Sequence, residues 1–203
     1  MLNDEVLTNE LGISTESTIP ELSLYSGYGG FSLALKLAGL NTRTVCYVEW
    51  EDYAIQILRA RISDGSLDDA PIWSDSGTFD GRPWAGRVGL ISAGFPCQPF
   101  SNAGNREGEF DTSGRNRWPD VRRLVSEIRP KFCVLENVPG LLNPAGGRPP
   151  YAGTVVGELA EIGYRVEWRL VSASQAGAPH RRNRFWLLAY ANLYRTERKP
   201  SRH

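Results

Sequence analysis

The sequence predicts an α/β protein: a doubly wound, mostly parallel sheet of about seven strands with helices on both faces and an antiparallel edge. Three observations carry that expectation. Short apolar segments alternate with amphipathic segments of helical period for most of the length. A glycine cluster, LYSGYGG, separates the first strand-like segment from the first helical one, where such folds make a tight turn. The last two strand-like segments lack a helix-length linker, which a parallel pair requires, so they predict an antiparallel pair.

Taken in order, ELSLYS is the first strand, GYGG the turn and FSLALKLAG the first helix. The strand TVCYVEW follows, then the helix EDYAIQILRARIS, which places Ala54, Leu58 and Ile62 on one face. A short strand near PIWSD and the strand VGLISA come next. The segment SNAGNREGEFDTSGRNR is too rich in Gly, Asn and charge to be core and reads as a loop, with Gly104, Gly108 and Gly114 as hinges. A helix from Pro119 has Val121, Leu124, Val125 and Ile128 at helical spacing. After the strand KFCVLENV, NPAGGRPPYAG reads as a second loop and TVVGELAEIG as a helix. The strands YRVEWRLVSAS and RFWLLAY close the pattern, and the alternation of Val166, Trp168 and Leu170 puts Trp168 in the core.

A chain of 203 residues, 41% hydrophobic and 23% charged, is enough for one domain with a continuous core. The expected division is an N-terminal segment over 1–20, a catalytic domain over 21–190 and a basic tail over 191–203. No basic leader precedes an apolar stretch, and no apolar run approaches the length of a membrane span. The expectation is a soluble, cytoplasmic protein with no membrane partner. Cysteines 46, 97 and 133 are odd in number and lack CxxC spacing, which argues against a disulfide framework and a zinc site. Formal charge is zero, yet residues 1–21 carry acids without a base, whereas the stretch after Pro179 is rich in arginine. That end suits phosphate, although a solvated surface accounts for it equally well.

The glycines of the first turn, Gly27, Gly29 and Gly30, let backbone N–H groups approach a nucleotide-like ligand. A turn without a ligand would use them too. The next strand ends in Glu49, an acid suited to two ribose hydroxyls, beside Trp50, an aromatic that stacks on adenine. Asp75 follows the third strand and suits an adenine amino group. Three strand ends of this kind describe an adenosine pocket. GxGG lacks the full GxGxxG pattern, which favours a single adenosine over a dinucleotide.

GFPCQPFS sets Cys97 between two near prolines at the end of an apolar strand. Either a reactive thiol or a buried structural cysteine fits that position. Together SGYGGFSLALKLAG, YVEW, GFPCQPFS, DTSGR, LENVPGLL and QAGAPHRRNRFW resemble, in order, the motifs of DNA cytosine-5 methyltransferases, and in length the chain is similar to short phage and prophage members. The resemblance spans about residues 21–190. It implies an S-adenosylmethionine-dependent, Rossmann-like fold, with S-adenosylhomocysteine as product and double-stranded DNA with a flipped cytosine as substrate, in restriction-modification or phage DNA methylation. Cys97 is then the nucleophile that adds to C6, Glu136 the acid at N3, and Arg182 with Arg184 the RxR pair facing the base or its phosphate. Both arginines point one way if the strand begins there at period two. Asn137 orders the backbone, and residues 101–117 form a lid. Tyr25, Ser26, Ser76 and Pro96 are assigned to the cofactor pocket with the three glycines, Glu49, Trp50 and Asp75. Cys46 and Cys133, within apolar strands, are expected to be inert.

Two departures stand out. Ser23 occupies a place where the family usually has an acid, and His180 one where a glutamine is common. Little of the sequence follows the RxR strand, so no obvious carrier of sequence-specific recognition is seen and low or short specificity governed by phosphate contacts and the loops is expected. Residues 1–20 are expected to supply a pocket wall through Val6, Leu7, Leu11 and Ile13. Three alternatives remain at this level. One is a non-catalytic or partner-dependent half of a split enzyme with a companion recognition subunit. Another is an RNA cytosine-5 methyltransferase, and the third a nicotinamide-dependent oxidoreductase.

Overall fold

A computed structural model describes residues 17–96, 116–144 and 149–191. Its strands are β1 (Ile19–Leu24), β2 (Thr42–Val48), β3 (Ile72–Trp73), β4 (Leu90–Gly94), β5 (Phe132–Asn137), β6 (Tyr164–Ser172) and β7 (Asn183–Ala191). The helices are α1 (Gly30–Leu37), α2 (Asp52–Ser63), α3 (Trp118–Ile128) and α4 (Tyr151–Glu161). One seven-stranded sheet runs in the order β3-β2-β1-β4-β5-β7-β6. β7 pairs antiparallel with both β5 and β6, so the expected antiparallel pair forms the edge. Within it the inner strand, β7, runs against the parallel set.

Alternation along the strands sorts the core into two layers. Leu22, Leu24, Ile91, Ala93, Cys133, Leu135, Leu187 and Ala189 share one cluster with Val121, Leu124, Val125 and Ile128 of α3 and with Val155 and Leu159 of α4. On the opposite side Leu35 of α1 packs with Leu90 and Phe132, while Leu58 of α2 packs with Tyr47. Helix α3 begins at Trp118, with Pro119 in its first turn where a missing N–H costs nothing, and it ends at Arg129 in the left-handed conformation at φ 56°.

Three expectations need correction, and one departure gains a structural context. Trp168 is not core: it is 51% exposed, because β6 is the outermost strand and nothing among the described residues covers that end of it. The second loop is shorter than NPAGGRPPYAG suggests, since α4 already starts at Tyr151, directly after Pro150. Asn183, not the arginine pair, begins β7, and Arg182 precedes it at φ 31°. Finally, the acid absent at Ser23 has a buried counterpart two residues earlier on the same side of the strand. Glu21 is fully buried and accepts hydrogen bonds from Thr44 Oγ1 at 2.8 Å and Ser92 Oγ at 2.6 Å.

Candidate active site

Every parallel strand of the sheet ends at the same edge, and those predicted site residues that are described gather there. At the end of β1 the chain turns sharply. Gly27 and Gly29 have φ of 54° and 80°, a conformation that L residues with a Cβ adopt only at a cost. Among the described residues, and leaving aside each glycine's own chain neighbours and nearby helix backbone, no atom lies within 4 Å of a Cβ built on Gly27 or Gly30, whereas one on Gly29 would come within 2.4 Å of Leu67 Cδ1. The turn is thus packed beneath Gly29 and open beside Gly27 and Gly30.

Glu49, nearly buried after β2, holds this turn in place. Its Oε2 accepts from the Gly27 N–H at 2.7 Å, and its Oε1 accepts from the N–H groups of Trp50 and Glu51 at 2.9 Å each. A carboxylate offers about four lone-pair sites in all, so capacity remains for a ligand hydroxyl. Glu51 caps α2 by accepting from Ala54 N–H. Trp50 is 66% exposed, leaving its ring available to stack. Tyr25, Glu49, Trp50, Asp75 and Ser76 line one pocket. The acceptor carboxylate, the exposed ring and the open glycine turn fit an adenosyl group. Asp75 also closes its own turn by accepting from Gly77 N–H at 2.9 Å.

Beyond β1 lies the second group. Glu136, at the end of β5, pairs in register with Gly94 of β4 and Trp186 of β7. Its Oε1 is 2.5 Å from Arg184 Nε. Burial raises its pKa, and that effect outweighs the nearby Arg184 and Arg182 guanidinium groups, which favour the ionised form. The short ion pair and the upward shift pull in opposite directions. Three-quarters burial of both side chains makes desolvation the larger influence, so Glu136 is a carboxylate that takes up a proton more readily than an ordinary one. Arg182 contributes from outside the strand, so the expected period-two geometry is wrong in detail, yet both arginines face Glu136.

A cavity of about 680 Å³ runs from the turn after β1 to this second group, lined by Ser26 and Gly30 on one side and by Glu136, Arg182 and Arg184 on the other, while Glu49, Trp50 and Asp75 line a separate pocket. Phe31 of α1 and Trp186 of β7 meet edge to face at 5.4 Å and form part of its apolar wall. Asn137, 4% exposed, donates from Nδ2 to the Phe95 carbonyl at 2.9 Å and accepts from Val138 N–H at 2.8 Å. The segment leading out of β4 is therefore tied to the end of β5, as expected of Asn137. Cys97 lies outside the described residues, as do the hinge glycines 104, 108 and 114. So do residues 1–16 with their four apolar positions, and 192–203. Pro96 is described, and its carbonyl accepts from Arg117 N–H at 3.2 Å.

The other two cysteines are buried. Burial pushes the Cys46 thiol up to about 11, and it also raises that of Cys133, so neither is a thiolate near neutrality. Sequence reasoning missed Arg117 and Asp120. Arg117 lines the pocket that holds Glu49, Trp50 and Asp75, and Asp120 accepts from Ser76 Oγ at 3.1 Å. No spacing rule links these positions to the glycine turn across ninety residues of chain.

The sheet order, the glycine turn and the acid after β2 define a doubly wound fold of the methyltransferase type. Solved structures agree: the Schizosaccharomyces pombe Dnmt2 methyltransferase superposes with a TM-score of 0.67 at 23% identity, covering 87% of this chain and 51% of that one. A Spodoptera frugiperda DNMT2 mutant gives 0.68 at 22% identity over 86% of this chain and 50% of its own. The family model for C-5 cytosine-specific DNA methylase matches residues 20–203, and the chain belongs to that family. Type II methyltransferase M.NgoMIV of Neisseria gonorrhoeae is 35% identical over 85% of this chain and 52% of its own length. M.CviJI of Paramecium bursaria Chlorella virus IL3A is 34% identical over 87% and 44%, and the orphan methyltransferase M.SPRI of Bacillus phage SPR 32% over 82% and 36%. The chain thus spans about half, or less, of the length of these relatives.

Proposed function

We propose that this chain carries the catalytic core of a DNA cytosine-5 methyltransferase, within residues 21–190, using S-adenosylmethionine as methyl donor. The observation that supports the reading best is the single cavity onto which both the glycine turn and the Glu136–Arg182–Arg184 cluster open. That arrangement brings the turn that follows β1 and an acid with a raised pKa to one space.

The chemistry follows from the electronics of cytosine. C5 is too electron-poor to attack a methyl group until a nucleophile adds at C6. In this reading the Cys97 thiolate forms that bond, while Glu136 donates a proton or hydrogen bond to N3 and takes up the charge that addition develops there. Arg184 and Arg182 hold the Glu136 carboxyl in place and face the base or its phosphate. S-adenosylmethionine supplies an electrophilic methyl group. Loss of the C5 proton to a base then returns the electron pair and expels Cys97 as thiolate. The cytosine must leave the duplex to reach the cavity. Glu49 and Trp50 would hold the adenosyl ribose and ring, with Asp75 and Ser76 at the purine edge and Tyr25, Ser26 and Pro96 completing the walls.

In a second reading the residues that read the DNA sequence lie outside this core, in the same or a companion polypeptide; the match to M.NgoMIV covers 52% of that protein. No helix among the described residues is long and apolar enough to cross a membrane. Incubating the chain with tritiated S-adenosylmethionine and either duplex DNA or transfer RNA tests the proposal. Label is expected in DNA, at cytosines identified by bisulfite sequencing. Label in transfer RNA alone would move the activity to RNA, and label appearing only after a second polypeptide is added would favour the companion reading.

A further inference from the structure

Arg117 breaks the local rules of the helix it precedes. It occupies the N-cap of α3, where Ser, Thr, Asp or Asn normally accepts from a free backbone N–H, and its side chain makes no capping bond. A guanidinium there also sits at the positive end of the helix dipole. An element that departs from its own preferences with only partial local compensation points to a use elsewhere. Part of the electrostatic cost is met by Asp120 in the first turn, whose Oδ2 is 3.4 Å from Arg117 Nη1.

Asp120 is itself held from the other side. Tyr25 Oη donates to Ser76 Oγ at 2.8 Å, and Ser76 Oγ donates to Asp120 Oδ2 at 3.1 Å. Arg123 Nη2 fixes the same turn through the Ser76 carbonyl at 2.7 Å. A relay of two hydrogen bonds therefore links three elements distant in sequence: the turn after β1 through Tyr25, the loop after β3 through Ser76 and the start of α3 through Asp120. Its remaining partner is Arg117, whose side chain is 40% exposed and lines the pocket that holds Glu49, Trp50 and Asp75. Arg117 is the only cation among the described residues lining a pocket that otherwise presents two carboxylates and two aromatic rings.

We propose that Arg117 is a cofactor-binding residue whose planar guanidinium packs against the adenine ring, and that Asp120, oriented by Ser76 and Tyr25, is the positioning residue that aims it. A guanidinium suits this place because it is flat, permanently charged and weakly hydrated, so it stacks on a π system at small desolvation cost. The inference rests on the adenosyl reading of the pocket given above.

Binding measured by calorimetry on the full chain tests it, with S-adenosylmethionine and 5′-methylthioadenosine as separate probes. The second probe has the adenosine but no amino-acid tail. Arg117→Ala is expected to weaken both probes by the same factor, about three- to tenfold. Arg117→Lys keeps the charge, loses the plane and recovers little of the affinity. Asp120→Asn falls between, with the larger part of its effect in affinity rather than in melting temperature. A role confined to the helix start would instead lower the melting temperature of Asp120→Asn and leave affinity alone.

Unchanged affinity in Arg117→Ala overturns the proposal. So does a loss seen with S-adenosylmethionine but not with 5′-methylthioadenosine, which would put the guanidinium against the amino-acid tail. If Arg117→Ala does not fold, unchanged affinity in Arg117→Lys overturns the stacking equally. Failure of the unsubstituted chain to bind either probe would remove the adenosyl reading itself, an outcome distinct from binding that is indifferent to residue 117.

Discussion

Glu136 is the residue where burial and charge compete most directly. Burial raises its pKa and the two arginines oppose that rise. A group whose folded pKa lies above its unfolded value binds protons more tightly in the native state. Folding stability therefore falls as pH rises between the ordinary glutamate range and the raised value. The activity should carry the same signature, because addition of Cys97 needs the protonated or proton-sharing carboxyl, so kcat/KM should decline as pH rises through the raised pKa. Arg184→Ala removes one of the influences that lower that pKa, so this decline should move to higher pH. Glu136→Gln should abolish the decline and slow methyl transfer by about 10²- to 10⁴-fold. A pH series of single-turnover rates for the three proteins checks both statements. An Arg184→Ala profile displaced to lower pH would contradict the account. In the sequence, Glu136 and its arginines were identifiable from ENV and the RxR spacing, but the direction of the titration was not. That depends on how much water the fold removes, which no motif encodes.

Among the elements, the clearest coupling is the join between β5 and the strand that precedes Cys97. Asn137 bridges them with one hydrogen bond from its buried side chain to the Phe95 carbonyl, and a second, accepted from Val138 N–H, fixes the amide's orientation. Asn137→Ala leaves the Phe95 carbonyl without this partner and should cost about 1–3 kcal/mol of stability. Because Phe95 lies two residues before Cys97, the same change should slow methyl transfer while S-adenosylmethionine affinity stays near that of the parent chain. Denaturant unfolding and calorimetric binding separate the two effects, and a loss confined to cofactor affinity would contradict this role. Most elements were legible beforehand because their period and punctuation agree. Val121, Leu124, Val125 and Ile128 mark α3, and the glycine cluster marks the first turn. Two features were hidden for physical reasons. Trp168 alternates like a core residue, but alternation reports a side of the strand, not whether anything covers it. The start of α4 was masked by Pro149 and Pro150, whose loop-like composition runs directly into a helix.

The whole molecule brings its chemistry to one edge of the sheet and covers its two faces unequally. Helices α3 and α4 build the large core layer, while the side under α1 retains the cavity that joins the glycine turn to Glu136. The sequence could show that β6 and β7 are consecutive and antiparallel, but not that the later strand would enter the sheet first. That order is what brings Trp186 and Arg184 beside Glu136. The global claim is that these groups serve one thiolate attack, at Cys97 and at neither buried cysteine. Duplex DNA carrying 5-fluorocytosine, incubated with the chain and S-adenosylmethionine, measures it directly, since fluorine blocks the final elimination and holds the bond between sulfur and C6. The account predicts a complex that survives denaturation, maps to Cys97 by peptide mass and is absent in Cys97→Ser. Methyl transfer without such a complex, or a complex that persists in Cys97→Ser, would contradict it.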